Sequence, residues 1–314
     1  MYFILSLIVL TVIDSAKMDS IMANYEREGP GVAVAVVSKE EVVYTKGVGY
    51  ANLDYGIRIT PESVFDIGSM VKQFTAACIS ELVKSGKLTL DTDIRKYFPE
   101  FQEGVTVGHL LYHTSGVRDY ANLHLLMGLW GGKPSSDEVL DLLLAQKRLD
   151  FAPGTKHMYS NSGYFLLGKI IEIVSGKPID VYAEEVIFGP LGMDKTFFNV
   201  DENMIIKDRV IGYGADKDGY KMNHDFHQTP AGARGVNSTV LDMAKWQMYL
   251  RNAKHLWVEG LIDNSTPCGY AFGLECKTYK GLKTIGHDGY TGSFHTKAVY
   301  FPEKDVSIIH WQTG

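Results

Sequence analysis

A serine and a lysine three positions apart are the residues of this chain best suited to covalent chemistry. Ser69 and Lys72 stand at the front of an apolar, alanine-containing run. If that run is a helix, positions i and i+3 lie on one face, so the hydroxyl and the amine are neighbours. A neutral lysine can take the serine proton, and apolar surroundings lower a lysine pKa toward neutrality. The spacing predicts an activated serine at a helix N-terminus, where the helix dipole favours the oxyanion of acyl transfer.

The same pattern also has an ordinary structural explanation. In a sequence of 314 residues, about one Ser-x-x-Lys occurs by chance. The alternative is an N-cap serine followed by a solvated lysine in the first turn. Ser69 and Lys72 form the only such pair in the chain, and the lysine lies in a mostly apolar stretch. Partner residues elsewhere must decide between the two explanations.

A tyrosine and an asparagine two positions apart, Tyr159 and Asn161, are the first candidate partners. In an extended loop both side chains can face one cleft, where the tyrosine relays a proton and the asparagine binds a substrate amide. A core tyrosine followed by a helix-capping asparagine explains the pair equally well. A second Tyr-x-Asn occurs at Tyr120 and Asn122, so the residues alone leave the choice open.

The triplet at 287–289, His-Asp-Gly, is the second candidate partner. The glycines on either side of His287 let the backbone approach a ligand closely, although a glycine-rich hairpin with a surface histidine has the same sequence. No Gly-x-Ser-x-Gly, His-Glu-x-x-His or P-loop pattern occurs, which argues against the hydrolases and nucleotide-binding proteins that carry them. His224 and His227 permit a metal hypothesis, but no third ligand stands at a fixed spacing.

Secondary-structure signals place strands near both ends of the chain and helices between them. Strands are predicted at 32–37, 42–45, 269–274, 282–285, 293–301 and 305–311. Helices are predicted from Ser69 to Lys84 and at 107–112, 136–146 with Ser136 as N-cap, 163–174 with Gly176 as C-cap, 179–187 and from 238 onward. This order predicts one sheet assembled from both termini and a helical lobe at roughly 85–220, with Ser69 in the cleft between them.

Composition describes an ordinary globular protein. Hydrophobic residues make up 45% and charged residues 22%, and the net charge is −6 with a pI near 5.9. These values give no reason to expect a nucleic acid or an anionic membrane as partner. The three cysteines form neither a disulfide framework nor a zinc pattern, and Cys78 is expected to be a small core residue.

The apolar segment 1–13 is too short to span a bilayer. It has the length of a signal-peptide apolar region but lacks a basic n-region and a cleavage site. A segment packed on the core is the alternative. The first interpretation implies a secreted, periplasmic or membrane-associated protein, and the second a cytoplasmic one.

Taken in order, Ser69-x-x-Lys72, Tyr159-x-Asn161 and His287-x-Gly289 resemble the serine β-lactamase and penicillin-binding-protein-like hydrolases, specifically their class C β-lactamase-related branch. The flanking segments are similar as well, and the Pro-Gly-Thr before Tyr159 selects it over Tyr120. The resemblance covers about residues 15–312 and includes the segments at 65–68, 108–116, 153–155, 162–176, 189–193 and 238–246.

The resemblance implies an α/β (α+β) fold of the β-lactamase/transpeptidase type. An antiparallel sheet built from both chain ends is flanked by helices, with an inserted all-helical lobe, in a single catalytic domain at 14–314. Ser69 matches the nucleophile, Lys72 its general base and Tyr159 the residue that shuttles the proton. No metal and no organic cofactor is implied.

Four further residues match positions that bind the substrate. Asn161 matches a residue that holds the lysine and the substrate amide. His287 and Gly289 match the third motif on an inner strand. The backbone N–H groups of Ser69 and Tyr290 match the oxyanion hole. The partner implied is a small-molecule or peptide substrate, bound through an ester, amide or β-lactam bond.

The third motif departs from the Lys-Thr-Gly of many members, in which the lysine attracts a substrate carboxylate. His287 is mostly neutral at pH 7, so we expect weaker β-lactam hydrolysis and leave esterase and D-amino-acid peptidase activity open. Arg234 either replaces that charge or is a surface arginine.

A non-catalytic binding protein with the same pocket is the competing hypothesis, although the intact nucleophile, base and tyrosine argue against it. The chain ends just after its last predicted strand, so either the sheet closes differently from that of relatives or the sequence is a fragment.

Overall fold

A computed structural model describes residues 14–25, 28–128, 134–201, 203–223 and 231–314. Its strands are β1 Val32–Ser38, β2 Glu41–Val48, β3 Tyr50–Asn52, β4 Ile57–Arg58, β5 Phe65–Asp66, β6 Phe197–Phe198, β7 Tyr213–Asp216, β8 Gly219–Met222, β9 Val236–Ser238, β10 Leu261–Ile262, β11 Thr266–Pro267, β12 Glu275–Tyr279, β13 Leu282–Tyr290, β14 Phe294–Phe301 and β15 Val306–Thr313. Its α-helices are α1 Ser15–Ala23, α2 Lys72–Lys84, α3 Val107–Leu111, α4 Tyr120–Leu126, α5 Ser136–Leu144, α6 Asn161–Ser175, α7 Ile179–Ala183 and α8 Val240–Asn252. Single 3₁₀ turns cover Gly68–Val71, Ile94–Lys96 and Lys254–Trp257, and a π turn covers Glu184–Phe188.

The main sheet contains strands from both ends of the chain. Six strands lie in the order β12-β13-β14-β15-β1-β2, and every neighbouring pair is antiparallel. The first strand therefore lies beside the last, with Val34 opposite His310. This arrangement confirms the predicted sheet built from both termini.

Strand β1 is buried on both faces, which explains why its sequence is a continuous apolar run. Val32, Val34 and Val36 face α1, where they pack with Met22. The alternate residues of β1, which include Ala35, belong to the larger core on the opposite face. Small side chains there leave room for helix α8, which packs against β1 and β15.

Helix α2 carries the candidate lysine and runs through the middle of the molecule. Most of its side chains are buried, as expected of a helix that packs on several sides. Phe74 fixes it by edge-on ring contacts with Phe188 and Trp246. The 3₁₀ turn before α2 packs against β13, so Ser69 lies where the helices meet an inner strand of the sheet.

The region predicted as a helical lobe contains α3 to α7, and short strands such as β6 and β7 lie toward its end. Gly176 ends α6 in the left-handed conformation, with φ 71°, as predicted. The predicted cap of α5 was wrong by one residue: Ser135 is the N-cap. Its hydroxyl accepts from the Glu138 N–H while the Glu138 carboxylate accepts from the Ser135 N–H.

The strand predicted at 269–274 was wrong. Gly269 and Gly273 have φ of 78° and 68°, a left-handed conformation that interrupts a strand. A Cβ on Gly273 would lie 2.3 Å from the Lys72 carbonyl oxygen. The segment is therefore a loop that crosses closely over the start of α2, and the strand begins only at Glu275.

Candidate active site

Ser69 and Lys72 are neighbours, as their spacing predicts. Ser69 lies in the 3₁₀ turn, and Lys72 is the first residue of α2. The Lys72 Nζ is 3.1 Å from the Ser69 Oγ. Ser69 is partly exposed, whereas Lys72 is 0% exposed. The hydroxyl is accessible to a ligand, and the amine is available only to its protein partners.

Among the described residues, three oxygen atoms lie within hydrogen-bond distance of the Lys72 amine. Besides the Ser69 Oγ, the Asn161 Oδ1 lies 3.0 Å and the Ala233 carbonyl oxygen 3.1 Å from Nζ. The last two can only accept hydrogen bonds. A neutral amine can donate to both and accept from Ser69, and an ammonium can donate to all three. The hydrogen-bonding capacity of the Lys72 amine is thus satisfied both when it is neutral and when it is protonated.

Burial favours the neutral form of Lys72. It lowers the pKa of the lysine to about 7, with a further lowering by the charge of Arg234 and an opposing effect of Asp119. A lysine with this pKa is a base near neutral pH. Arg234 lies next to Ala233 and also acts on the pKa of Tyr159, so its charge is close enough to affect both side chains.

Asn161 is the first residue of α6 and is oriented by a carboxylate. The Asp119 Oδ2 accepts hydrogen bonds from the Asn161 backbone N–H and from its side-chain Nδ2, the latter at 3.1 Å. The Asp119 Oδ1 accepts from the Ala121 N–H. Because Nδ2 faces Asp119, the Asn161 Oδ1 must face Lys72. Sequence reasoning missed Asp119; its only signal was its place before the helix that starts at Tyr120.

Tyr159 lies in the loop before α6, with its ring over the Lys72 amine at 4.9 Å. The side chain is 37% exposed. Burial of the hydroxyl raises the pKa of Tyr159, and a hydrogen bond with Ser69 offsets this in part. Tyr159 therefore keeps its proton at pH values where Lys72 has begun to lose one. The structure brings Tyr159 to the site and leaves Tyr120 buried beside it.

His287 lies on β13, and its side chain is a buried, neutral imidazole. Its Nδ1 contacts the Asp288 carbonyl oxygen, so this nitrogen carries the proton. Its Nε2 then accepts from the Tyr270 hydroxyl at 2.9 Å. Burial, and next the charge of Lys72, lower the pKa of His287 to about 4. The third motif therefore brings no positive charge to the cleft.

Backbone atoms of β13 closely approach the turn that carries Ser69. A Cβ on Gly289 would lie 2.0 Å from the Ile67 carbonyl oxygen, and one on Gly68 would lie 2.9 Å from the Tyr290 nitrogen. Glycine is required at both positions for this approach. The Tyr290 ring itself is exposed and packs on His295, so the part of Tyr290 that approaches the turn at Gly68 is its main chain.

A metal centre has no support in the described part of the chain, where no three His, Cys, Asp or Glu side chains are grouped to hold an ion. His224 and His227, for which the sequence offered no third ligand, lie outside the described residues, as does the apolar segment 1–13. Within the same described ranges, no helix has both the length and the apolar character needed to cross a membrane.

The chain is similar in sequence to proteins of one family. A family model described as Beta-lactamase matches residues 15–313. A D-aminopeptidase of Gluconobacter oxydans (strain 621H) is 27% identical over 297 residues, which are 90% of this chain and 55% of that protein. The chain thus spans a little over half the length of such curated relatives.

Two solved structures are similar over nearly the whole chain. The octameric penicillin-binding protein homologue from Pyrococcus abyssi superposes with a TM-score of 0.85 at 31% identity, covering 96% of this chain and 74% of that one. The D-amino acid amidase from Ochrobactrum anthropi SV3, complexed with L-phenylalanine amide, gives a TM-score of 0.77 at 25% identity and covers 94% and 88%.

Proposed function

The chain belongs to the β-lactamase family, and from that premise we propose that it is a serine hydrolase that works through an acyl-enzyme. One observation carries the proposal. A fully buried lysine amine lies 3.1 Å from a partly exposed serine hydroxyl, and its two other partners in the described part of the chain can only accept hydrogen bonds. A buried neutral amine beside a serine is an arrangement that activates a nucleophile.

The proposed reaction has two steps. Lys72 takes the proton of Ser69 as the serine oxygen attacks the substrate carbonyl, and the N–H groups of Ser69 and Tyr290 bind the resulting oxyanion. Tyr159 gives a proton to the leaving amine or alcohol and is reprotonated from Lys72. Water then attacks the acyl-enzyme with its proton passing back through the same groups, and the free acid and Ser69 are released.

Amides and short peptides of D-amino acids are the substrate class we favour. The neutral His287, bonded to Tyr270, offers no cation to a β-lactam carboxylate at the third motif. Named relatives include a D-aminopeptidase and a D-amino acid amidase. Assignment to the class C-related branch and to a single domain at 14–314 remain predictions.

The test is intact-mass spectrometry of the protein mixed with a nitrophenyl ester of D-alanine, with its L enantiomer, and with a penicillin. We expect a Ser69-dependent acyl adduct and faster product release from the D ester than from the L ester. Ser69→Ala should abolish both at an unchanged melting temperature. Ser265→Ala, an exposed turn serine, is the matched control and should behave as wild type.

The outcomes separate the competing hypotheses. A long-lived penicillin adduct would indicate a penicillin-binding protein, and a short-lived one with product accumulation a β-lactamase. Absence of any adduct and of any product from every probe would contradict the hydrolase proposal and favour a non-catalytic binding protein with the same pocket.

A further inference from the structure

One residue from a distant part of the chain holds the segment around Tyr159 on both sides. The backbone N–H of Met158 donates to the His113 carbonyl oxygen at 2.9 Å. The backbone N–H of Ser160 donates to the His113 Nδ1 at 3.2 Å. The His113 ring lies against the Tyr159 ring, with a centroid distance of 4.4 Å. Three consecutive residues are thus fixed by a single histidine.

His113 is itself rigidly placed. It follows α3, is 1% exposed, and adopts a left-handed backbone with φ 58°. Such a conformation costs energy for a residue other than glycine and persists where surrounding contacts require it. Those contacts include the hydrogen bond from the Tyr164 hydroxyl to the Leu111 carbonyl oxygen at 2.9 Å and a ring contact between His113 and Tyr270 at 4.5 Å.

The imidazole of His113 is not placed to exchange protons in the reaction. Its Nδ1 accepts from Ser160, so the hydrogen of the neutral ring is on Nε2. Among the residues that the structure describes, this Nε2 has no hydrogen-bond partner. The neighbouring rings among the described residues are those of His157, Tyr159, Tyr164 and Tyr270. What the histidine contributes is a fixed position for the tyrosine.

We propose that His113 is a positioning residue that holds the Tyr159 hydroxyl beside Ser69, so that the leaving group is protonated as it departs. This inference rests on the proposed acyl-serine mechanism. It predicts a selective defect. Loss of His113 should slow acylation by substrates whose leaving group needs a proton, such as an amine. Acylation that releases a nitrophenolate, which leaves as a stable anion, should be unaffected.

The first variant is His113→Asn. Asparagine tolerates the left-handed backbone and keeps an acceptor near the position of Nδ1, but it lacks the ring that packs on Tyr159. We expect kcat for a D-alanine amide to fall by about 10- to 100-fold, which is the scale of a misplaced catalytic group. KM should change little. The rate constant for acylation by the nitrophenyl ester of the same acyl group, measured from the initial burst of nitrophenolate, should fall less than about 3-fold, because that step needs no proton on the leaving group.

A double-mutant comparison separates positioning from general damage. Tyr159→Phe removes the group on which His113 is proposed to act. Adding His113→Asn to this variant should lower amide hydrolysis no further, because effects within one catalytic unit are not additive. His255→Asn is the control: it changes an exposed histidine in the turn Lys254–Trp257 and should leave both activities unchanged.

Equal losses of amide hydrolysis and of acylation by the ester, or an additional loss in the double variant, would overturn the positioning role and leave His113 as a purely structural residue. Melting temperatures measured in parallel identify a variant that has failed to fold, and His113→Gln then replaces His113→Asn in the same comparison. A wild-type protein that forms no Ser69 adduct would instead refute the hydrolase proposal, so the two failures are distinguishable.

Discussion

The Lys72 amine and the Ser69 hydroxyl lie 3.1 Å apart but differ in their exposure to solvent. Lys72 is wholly buried, and Ser69 is partly exposed. The base is therefore kept away from water, which lowers its pKa, while the nucleophile stays accessible to substrate.

Activity should depend on a group with a pKa of about 7. The base form of Lys72 is the deprotonated one, so kcat/KM should rise with pH through this value. The charge of Arg234 lowers the pKa of the lysine, so Arg234→Gln should raise that pKa. The acidic limb of the pH–rate profile, where activity rises with pH, should then move to higher pH. A pH–rate profile measures the shift. Arg148→Gln, which removes an exposed arginine, should leave the limb in place; an unmoved limb in Arg234→Gln would refute the electrostatic effect.

Asp119→Asn should shift the same limb in the opposite direction. The negative charge of Asp119 raises the pKa of Lys72, so its loss should move the limb to lower pH. The variant should also lose about 1–3 kcal/mol of unfolding free energy, because Asp119 accepts from Asn161 and Ala121 and an amide would oppose those donors. A lower kcat together with an acidic limb moved to higher pH would contradict the electrostatic effect of Asp119 on Lys72.

Lys72→Met should abolish activity and change how stability depends on pH. The lysine has a pKa of about 7 when folded and an ordinary value of 10.5 otherwise. The unfolded chain therefore binds more protons between these values, and wild-type stability rises with pH across this window. Lys72→Met lacks this gain. The difference in unfolding free energy, variant minus wild type, should therefore become more negative by about 3 kcal/mol between about pH 7 and pH 10. Chemical denaturation at several pH values measures it. Lys87→Met, at an exposed lysine, should show no such trend.

Gly68→Ala should damage catalysis more than folding. The added Cβ would meet the Tyr290 nitrogen at 2.9 Å and displace one of the proposed oxyanion donors, for which a loss of about 100- to 1,000-fold in kcat is expected. Gly86→Ala is the matched control, because Gly86 also has a positive φ, of 70°, but has open space around it. Equal activity of the two variants would show that the β13 backbone takes no part in the reaction.

Local spacing determined part of this site from sequence alone. Ser69 and Lys72 are three residues apart in a turn that continues into a helix, so their contact follows from helical geometry. The apolar runs near both chain ends likewise predicted strands that are buried together. Tyr159, Asn161 and His287 could be nominated because their motifs occur in the same order as in a known family, and the family is confirmed by a model that matches residues 15–313.

Only the tertiary structure decided how these residues are charged and held. Asn161 is 89 positions from Lys72 and receives its orientation from Asp119, a carboxylate with no motif of its own. His287 is a histidine in the sequence, but its bond to Tyr270 and its burial make it a neutral acceptor. Residues 269–274 have the composition of a strand, but they form a loop that crosses over the start of α2. Such outcomes depend on solvent exclusion and on partners far along the chain, and neither is encoded in the local pattern of residues.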